Sequence, residues 1–194
     1  MSGPRGDDPV ALALRAAVAR ISDAVSGLSA SNPVVLIDGG AGAGKTTIAR
    51  LLVQHWPLTT GVQLVALDSI YPGWDGLAEG AQRAHEQILR PHGRGLLGTW
   101  QRYDWVAGAY AESSAVDPAL GLVVEGCGVL TPASARVADV TVWVDAPEKS
   151  RRTRALERDG EAFRPHWERW ARQERAHWRE HRPQEIAMMT IPMP

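Results

Sequence analysis

The chain carries one cysteine, Cys127. That excludes an internal disulfide and a cysteine-based zinc cluster, and it makes a reducing cytoplasm the expected location. Net charge is also scarce. A formal value of -1 leaves no electrostatic case for a nucleic-acid or membrane surface. Long apolar runs are missing: residues 34–37 and 122–124 are far too short to span a bilayer. Residues 1–9 lack the basic-then-apolar pattern of a leader. Of six histidines, His177 and His181 stand four apart, but with no third ligand nearby they make no metal site.

What remains is an ordinary globular composition, 44% hydrophobic and 22% charged, over a length that suits one domain spanning 1–194. Residues 1–7 read as a tail. Tryptophan is frequent, at 8 residues. Core packing and half-buried cover account for most of these, leaving one or two for a ligand pocket.

Asp8-Pro9 reads as a helix start, and Leu14, Val18, Ile21, Val25 and Leu28 put one apolar stripe on the helix that follows. Residues 34–38 are apolar on both faces, as a central parallel strand would be. Further strands are expected at 62–67, 122–124 and 140–144, with a last one at 186–191. Helices are expected at 45–55, 77–89, 147–158 and 164–181, while 91–103 reads as irregular because Gly93, Gly95 and Gly98 break any period. Strands alternating with helices predict an α/β three-layer sandwich around a mostly parallel sheet of about five strands. Ligands of such sheets bind beyond the carboxyl ends of the strands, where Asp38, Asp68, Glu125 and Asp145 fall.

The strongest motif is Gly39-Gly40-Ala41-Gly42-Ala43-Gly44-Lys45-Thr46, a complete G-x-x-x-x-G-K-[ST] phosphate loop between a strand and a helix. Glycines let the backbone wrap an anion, and successive N–H groups and the helix N-terminus face it, with Thr47 continuing the first turn. Lys45 is placed to neutralise the terminal phosphates, and the Thr46 hydroxyl to meet Mg²⁺. The expected cofactors are therefore ATP and Mg²⁺.

The other acids and bases carry alternatives. Asp68 could take a proton from an attacking hydroxyl or hold Mg²⁺ through water, or it could be a turn or helix-capping residue. Glu125 reads as an acid near the metal or as a solvated strand end. Asp145, in Asp-Ala-Pro, reads as the start of a helix. Arg151, Arg154 and Arg158 share a helix face and could clamp a phosphoryl group in a lid at about 147–163, or form a solvated face paired with Glu148 and Glu157. Along 164–181, Arg169, Arg172 and Arg175 alternate with Glu168, Glu174 and Glu180, which predicts surface pairing.

The order of phosphate loop, Asp68-Ser69-Ile70-Tyr71, Trp74-Asp75, Tyr103-Asp104-Trp105, Glu125-Gly126 and an arginine-rich segment after Val144-Asp145 resembles the uridine kinase and phosphoribulokinase group of P-loop kinases. The resemblance runs from about residue 34 to 160. It implies an ATP-dependent phosphotransferase with Asp68 as base. It also implies that Tyr71, Trp74, Asp75 and Tyr103 lie around a nucleoside-like acceptor, and that Arg151, Arg154 and Arg158 contact phosphates. The implied partner is a small-molecule acceptor. Two departures fall in the acceptor region: Gly108 stands where uridine kinases carry a pyrimidine-reading His, and the stretch between Tyr71 and Trp74 is short. Other acceptors, such as a nucleoside monophosphate, a sugar or a vitamin precursor, stay open, with Arg94 and Arg102 available to meet a phosphate. A reading from another class, a nucleotide-binding switch without an acceptor, stays open too.

Overall fold

A computed structural model describes residues 8–194, so the stretch 1–7, expected to be a tail, lies outside the described residues. Five strands form one parallel sheet in the order β2-β5-β1-β6-β7, with β1 Val34–Gly39, β2 Val62–Ala66, β5 Gly121–Glu125, β6 Val140–Asp145 and β7 Met189–Pro192. β1 is central because both of its faces are apolar. Val34 and Leu36 enter one core, Val35 and Ile37 the other, as a two-residue side-chain period requires.

On one face lie α1 (Pro9–Ser26) and α2 (Lys45–Gln54), whose Ile21, Val25, Ile48 and Leu52 are fully buried. Asp8 caps α1 by accepting the Val10 N–H at 3.1 Å, with Pro9 in the first turn. On the other face, α3 (Leu77–Ala84) continues through one π-helical turn (His85–Leu89) into the short α4 (Arg90–His92). The same core receives α7 (Trp167–His181) through Trp167 and Trp170. The layers are therefore helix, sheet, helix. The short α5 (Pro132–Ala135) follows β5, and α6 (Glu148–Asp159) follows β6. No described helix is long and apolar enough to cross a membrane.

Two expectations need correction. Segment 91–103 is not irregular throughout. It contains β3 (Gly98–Asp104), which pairs antiparallel with β4 (Ala109–Val116) as a separate hairpin. A bulge between Gln101 and Tyr103 breaks the two-residue period, and most of the hairpin is polar or partly exposed, so no alternation marks it in the sequence. The last strand is also shorter than 186–191. Ile186 ends a helical turn, α8 (Pro183–Ile186), and β7 begins at Met189 beside Val142.

Candidate active site

The phosphate loop joins β1 to α2. Gly44, the residue before α2, has φ 105° and offers no side chain to cap the helix, so the first-turn N–H groups are not taken up by a capping side chain. The loop is packed from behind by α6. A Cβ at Gly40 would lie 2.1 Å from the Arg151 guanidinium, and one at Gly42, with φ 76°, would lie 2.0 Å from the Arg151 carbonyl. At Gly42 the clash is with backbone and only glycine fits; at Gly40 a side chain would have to displace the Arg151 guanidinium.

Lys45 is buried, and its Nζ donates to the Gly40 carbonyl at 3.0 Å and to Cys127 Sγ at 3.3 Å. Burial alone would lower its pKa, but the charges around it hold the ammonium above its ordinary value. Burial pushes the Cys127 thiol well up, so at neutral pH the opposing charges are those of Glu125, Glu174 and Asp68. Thr46 Oγ1 donates to Glu125 Oε1 at 2.9 Å. Burial raises the Glu125 pKa against the opposite pull of Lys45.

Asp68 is exposed in a 3₁₀ turn (Leu67–Ser69) just beyond β2. A cavity of about 680 Å³ runs from the phosphate loop past Asp68 and Glu125 to a chamber walled by Trp74, Trp105, Phe163 and Trp170. A smaller recess of about 130 Å³, lined by Gly44–Thr47, Arg154 and Arg158, adjoins it and shares Lys45 and Thr46. Trp105 opens the turn just after β3, and its Nε1 donates to the Asp68 carbonyl at 2.8 Å. Trp74 stacks against His166 at 4.4 Å and Phe163 at 5.3 Å between centroids.

The expected site residues divide. Ala41, Gly42, Lys45, Thr46, Thr47, Asp68, Tyr71, Trp74, Glu125 and Arg158 line the larger cavity, and Gly44 lines the recess. Tyr71 is buried, and its hydroxyl donates to the Cys127 carbonyl at 2.7 Å. Asp75 and Tyr103 do not line it. Asp75 is exposed and paired with Arg169, and Tyr103 packs edge-on against Trp105 and Tyr110. The three arginines do not act alike. Arg158 faces the cavity and pairs with Asp159. Arg154 donates to the Gly42 carbonyl at 2.8 Å, and Arg151 is buried under the loop, donating to the Ala41 carbonyl at 3.1 Å. Neither Glu148 nor Glu157 is the partner of any of these bonds. Asp38 is fully buried and accepts the N–H groups of Gly39, Gly128 and Leu130, so it ties together the loops after β1 and β5. Asp145 is exposed, and its carbonyl accepts the Met193 N–H at 2.7 Å.

Surface pairing along α7 is a correction as well. Glu174 is 2% exposed and its carboxylate lies against the phosphate loop, while His177 is buried 3.5 Å from Asp38. Trp167, Trp170, Glu174 and His177 recur at spacings of three and four, and that stripe, anchored by tryptophans, was the available signal.

Comparison with known proteins bears on the fold first. A solved structure described as a possible uridine kinase from Bacillus stearothermophilus superposes with a TM-score of 0.69, covering 92% of this chain and 98% of that one at 18% identity. This is a P-loop kinase fold. No family model matches the chain. Two dephospho-CoA kinases match a short stretch of it. The one from Thermobifida fusca is 36% identical over 58 residues, and the one from Corynebacterium glutamicum is 40% identical over 57. Each match spans about 30% of this chain and under a third of the relative's length.

Proposed function

We propose that this chain is an ATP-dependent phosphotransferase that moves the terminal phosphoryl group of Mg·ATP to a hydroxyl of a neutral, nucleoside-like small molecule. The observation that carries the reading is the continuity of one cavity from the phosphate loop, past Asp68, into an aromatic chamber. Flat aromatic walls favour an acceptor with an apolar ring face.

The donor set suits ATP and Mg²⁺. Among the described residues no group of three or more His, Cys, Asp or Glu side chains is placed to hold a metal. Mg²⁺ takes one or two protein ligands and fills the rest with phosphate oxygens and water, so the Thr46 hydroxyl beside Glu125 is the fitting place. When bound, Mg²⁺ spreads the charge that develops on the phosphates. Lys45 and the N-terminus of α2 hold the phosphates, and Arg158 approaches from a lid formed by residues 147–163. Asp68 accepts the acceptor's proton as the hydroxyl oxygen bonds to phosphorus. The electron pair of the broken phosphoanhydride bond leaves on ADP. Positioning and charge complementarity supply most of the rate.

A second reading, an acceptor that itself carries phosphate, finds less support. The cations lining the cavity among the described residues are Lys45, Arg50 and Arg158, on α2 and α6 rather than in the aromatic chamber. Arg102 is taken by Glu112 and Asp104, and neither it nor Arg94 lines the cavity. The test is a panel of nucleosides, nucleotides and sugars scored for acceptor-dependent ADP release. Neutral nucleosides or similar ring-bearing alcohols should stimulate release. Stimulation only by phosphorylated acceptors overturns the choice of acceptor, and ADP release indifferent to every added compound favours the switch.

A further inference from the structure

Residue 41 of the phosphate loop is held from both sides by one buried ion pair. Its N–H donates to Glu174 Oε1 at 2.6 Å, and its carbonyl accepts from Arg151 Nη1 at 3.1 Å. Arg151 Nη1 lies 3.4 Å from Glu174 Oε2, with the two side chains 8% and 2% exposed. The same carboxylate accepts the Cys127 S–H at 3.3 Å, and that sulfur in turn accepts from Lys45 Nζ at 3.3 Å. Glu174 is therefore one thiol away from the ammonium that would meet the terminal phosphates.

A buried carboxylate is expensive unless every contact is good, and this pair could in principle be replaced by apolar side chains without loss of stability. Its geometry points to a function beyond packing. The loop has four glycines in six residues, 39–44, and such backbone is soft. Fixing the N–H and carbonyl of Ala41 sets the path of that soft segment. The Ala41 N–H is turned to a carboxylate instead of an incoming phosphate, and the paired charges of Glu174 and Arg151 stand beside the cradle.

We propose that Glu174 is the positioning residue of the phosphate loop: with Arg151 it locks residue 41 in place, and its charge sets how strongly the site prefers a triphosphate to a diphosphate. This rests on the reading of the loop as an ATP site. With Glu174 in place the charge of Arg151 is balanced; without the carboxylate, one net positive charge is left beside the loop, and it favours ATP over ADP because ATP brings one more negative charge to that end. Removing the carboxylate tightens both nucleotides, and ATP further.

The test uses the full chain with Mg·ATP and Mg·ADP titrations and steady-state kinetics. Glu174→Gln keeps the shape and the oxygen that accepts the Ala41 N–H but loses the charge. It should shift the ATP-to-ADP affinity ratio towards ATP by roughly three- to tenfold, the scale of one charge several ångströms away in a partly screened site. Loss of packing alone would move both affinities together, and an unchanged ratio overturns the proposal. The double variant Arg151→Met, Glu174→Met removes both charges in an apolar form that buried pairs tolerate. It should keep the ratio within about twofold of wild type, since the opposite charges go together, and lower kcat by about tenfold or more because the loop is no longer held. Wild-type kcat in this variant overturns the positioning role, even if the single variant fails to fold. Wild-type protein that binds neither nucleotide overturns the ATP-site reading itself, an outcome distinct from binding with an unshifted ratio.

Discussion

The indole N–H of Trp105 donates to the backbone carbonyl of Asp68 at 2.8 Å, across 37 positions of sequence. The turn just after β3 is thus tied to the one that carries the candidate base, and the same ring forms part of the chamber wall. Trp105→Phe keeps an aromatic wall and removes the bond. A net hydrogen bond of about 0.5–1.5 kcal/mol predicts a fall in kcat of roughly two- to twelvefold, with the acceptor KM little changed. Trp105→Ala, which also opens the wall, should raise the acceptor KM. Steady-state kinetics on the two variants with the best acceptor separate the effects. Equal KM and kcat in both would mean that the ring neither lines the chamber in solution nor holds Asp68.

Lys45→Ala should weaken Mg·ATP binding and nearly abolish turnover. The variant loses one charge-assisted contact to phosphate, worth about 1.5–3 kcal/mol, or roughly tenfold to a hundredfold in affinity. It also removes one of the cations, beside Arg158, that favour the Glu125 carboxylate. Calorimetric titration checks it, and undiminished ATP affinity would remove the loop from the active site.

Asp68→Asn should leave ATP affinity near wild type and lower acceptor-dependent turnover. Asp68 is exposed, and the bond it makes to Trp105 uses its backbone carbonyl and not its carboxylate, so the amide should be tolerated. Loss of general base catalysis gives a drop of about 10²–10⁴-fold, or less if the proton leaves late in a loose transition state. Single-turnover transfer beside nucleotide titration is the measurement. Turnover within about threefold of wild type, well under that range, would make Asp68 a turn residue.

Turnover should decline on the acid side at a pH above the usual glutamate range of about 4.3. Burial raises the Glu125 pKa, so the carboxylate beside Thr46 becomes protonated, and poorer at meeting Mg²⁺, while ordinary carboxylates are still ionised. The sign follows from the shift. The neutral form is favoured in the folded site, so activity is gained as pH rises through the raised pKa. The pH profile of kcat/KM for ATP tests this, with Glu125→Gln as control. That variant should be slow at all pH values and lack the acid limb, and an unchanged limb would assign the titration to another group.

The phosphate loop was legible because its chemistry is local. Eight consecutive residues supply the glycines, the lysine and the hydroxyl, and an apolar strand before and a helix after provide the context. The five-strand sheet was legible for a related reason: β1, β5 and β6 are buried on both faces, and continuous apolar runs say so. The hairpin was not, because its bulge removes the period that would mark it. Nor was the role of α7. Charge alternation along that helix suggests a solvated face, yet whether Glu174 meets water or a guanidinium depends on Arg151, 23 positions away on another helix.

The same division holds among the candidate side chains. From sequence alone, Arg151, Arg154 and Arg158 are equivalent members of one helical face, and Asp75 and Trp74 are equivalent neighbours. Only the packing of α6 against the loop sends Arg151 beneath it, Arg154 to its edge and Arg158 into the cavity. Only the approach of α7 takes Asp75 to Arg169 and leaves Trp74 in the chamber. A backbone cradle is encoded in adjacent residues, because its geometry is set by their own dihedrals. The fate of a long charged side chain is set by whatever surface reaches it first, and that surface comes from distant parts of the chain.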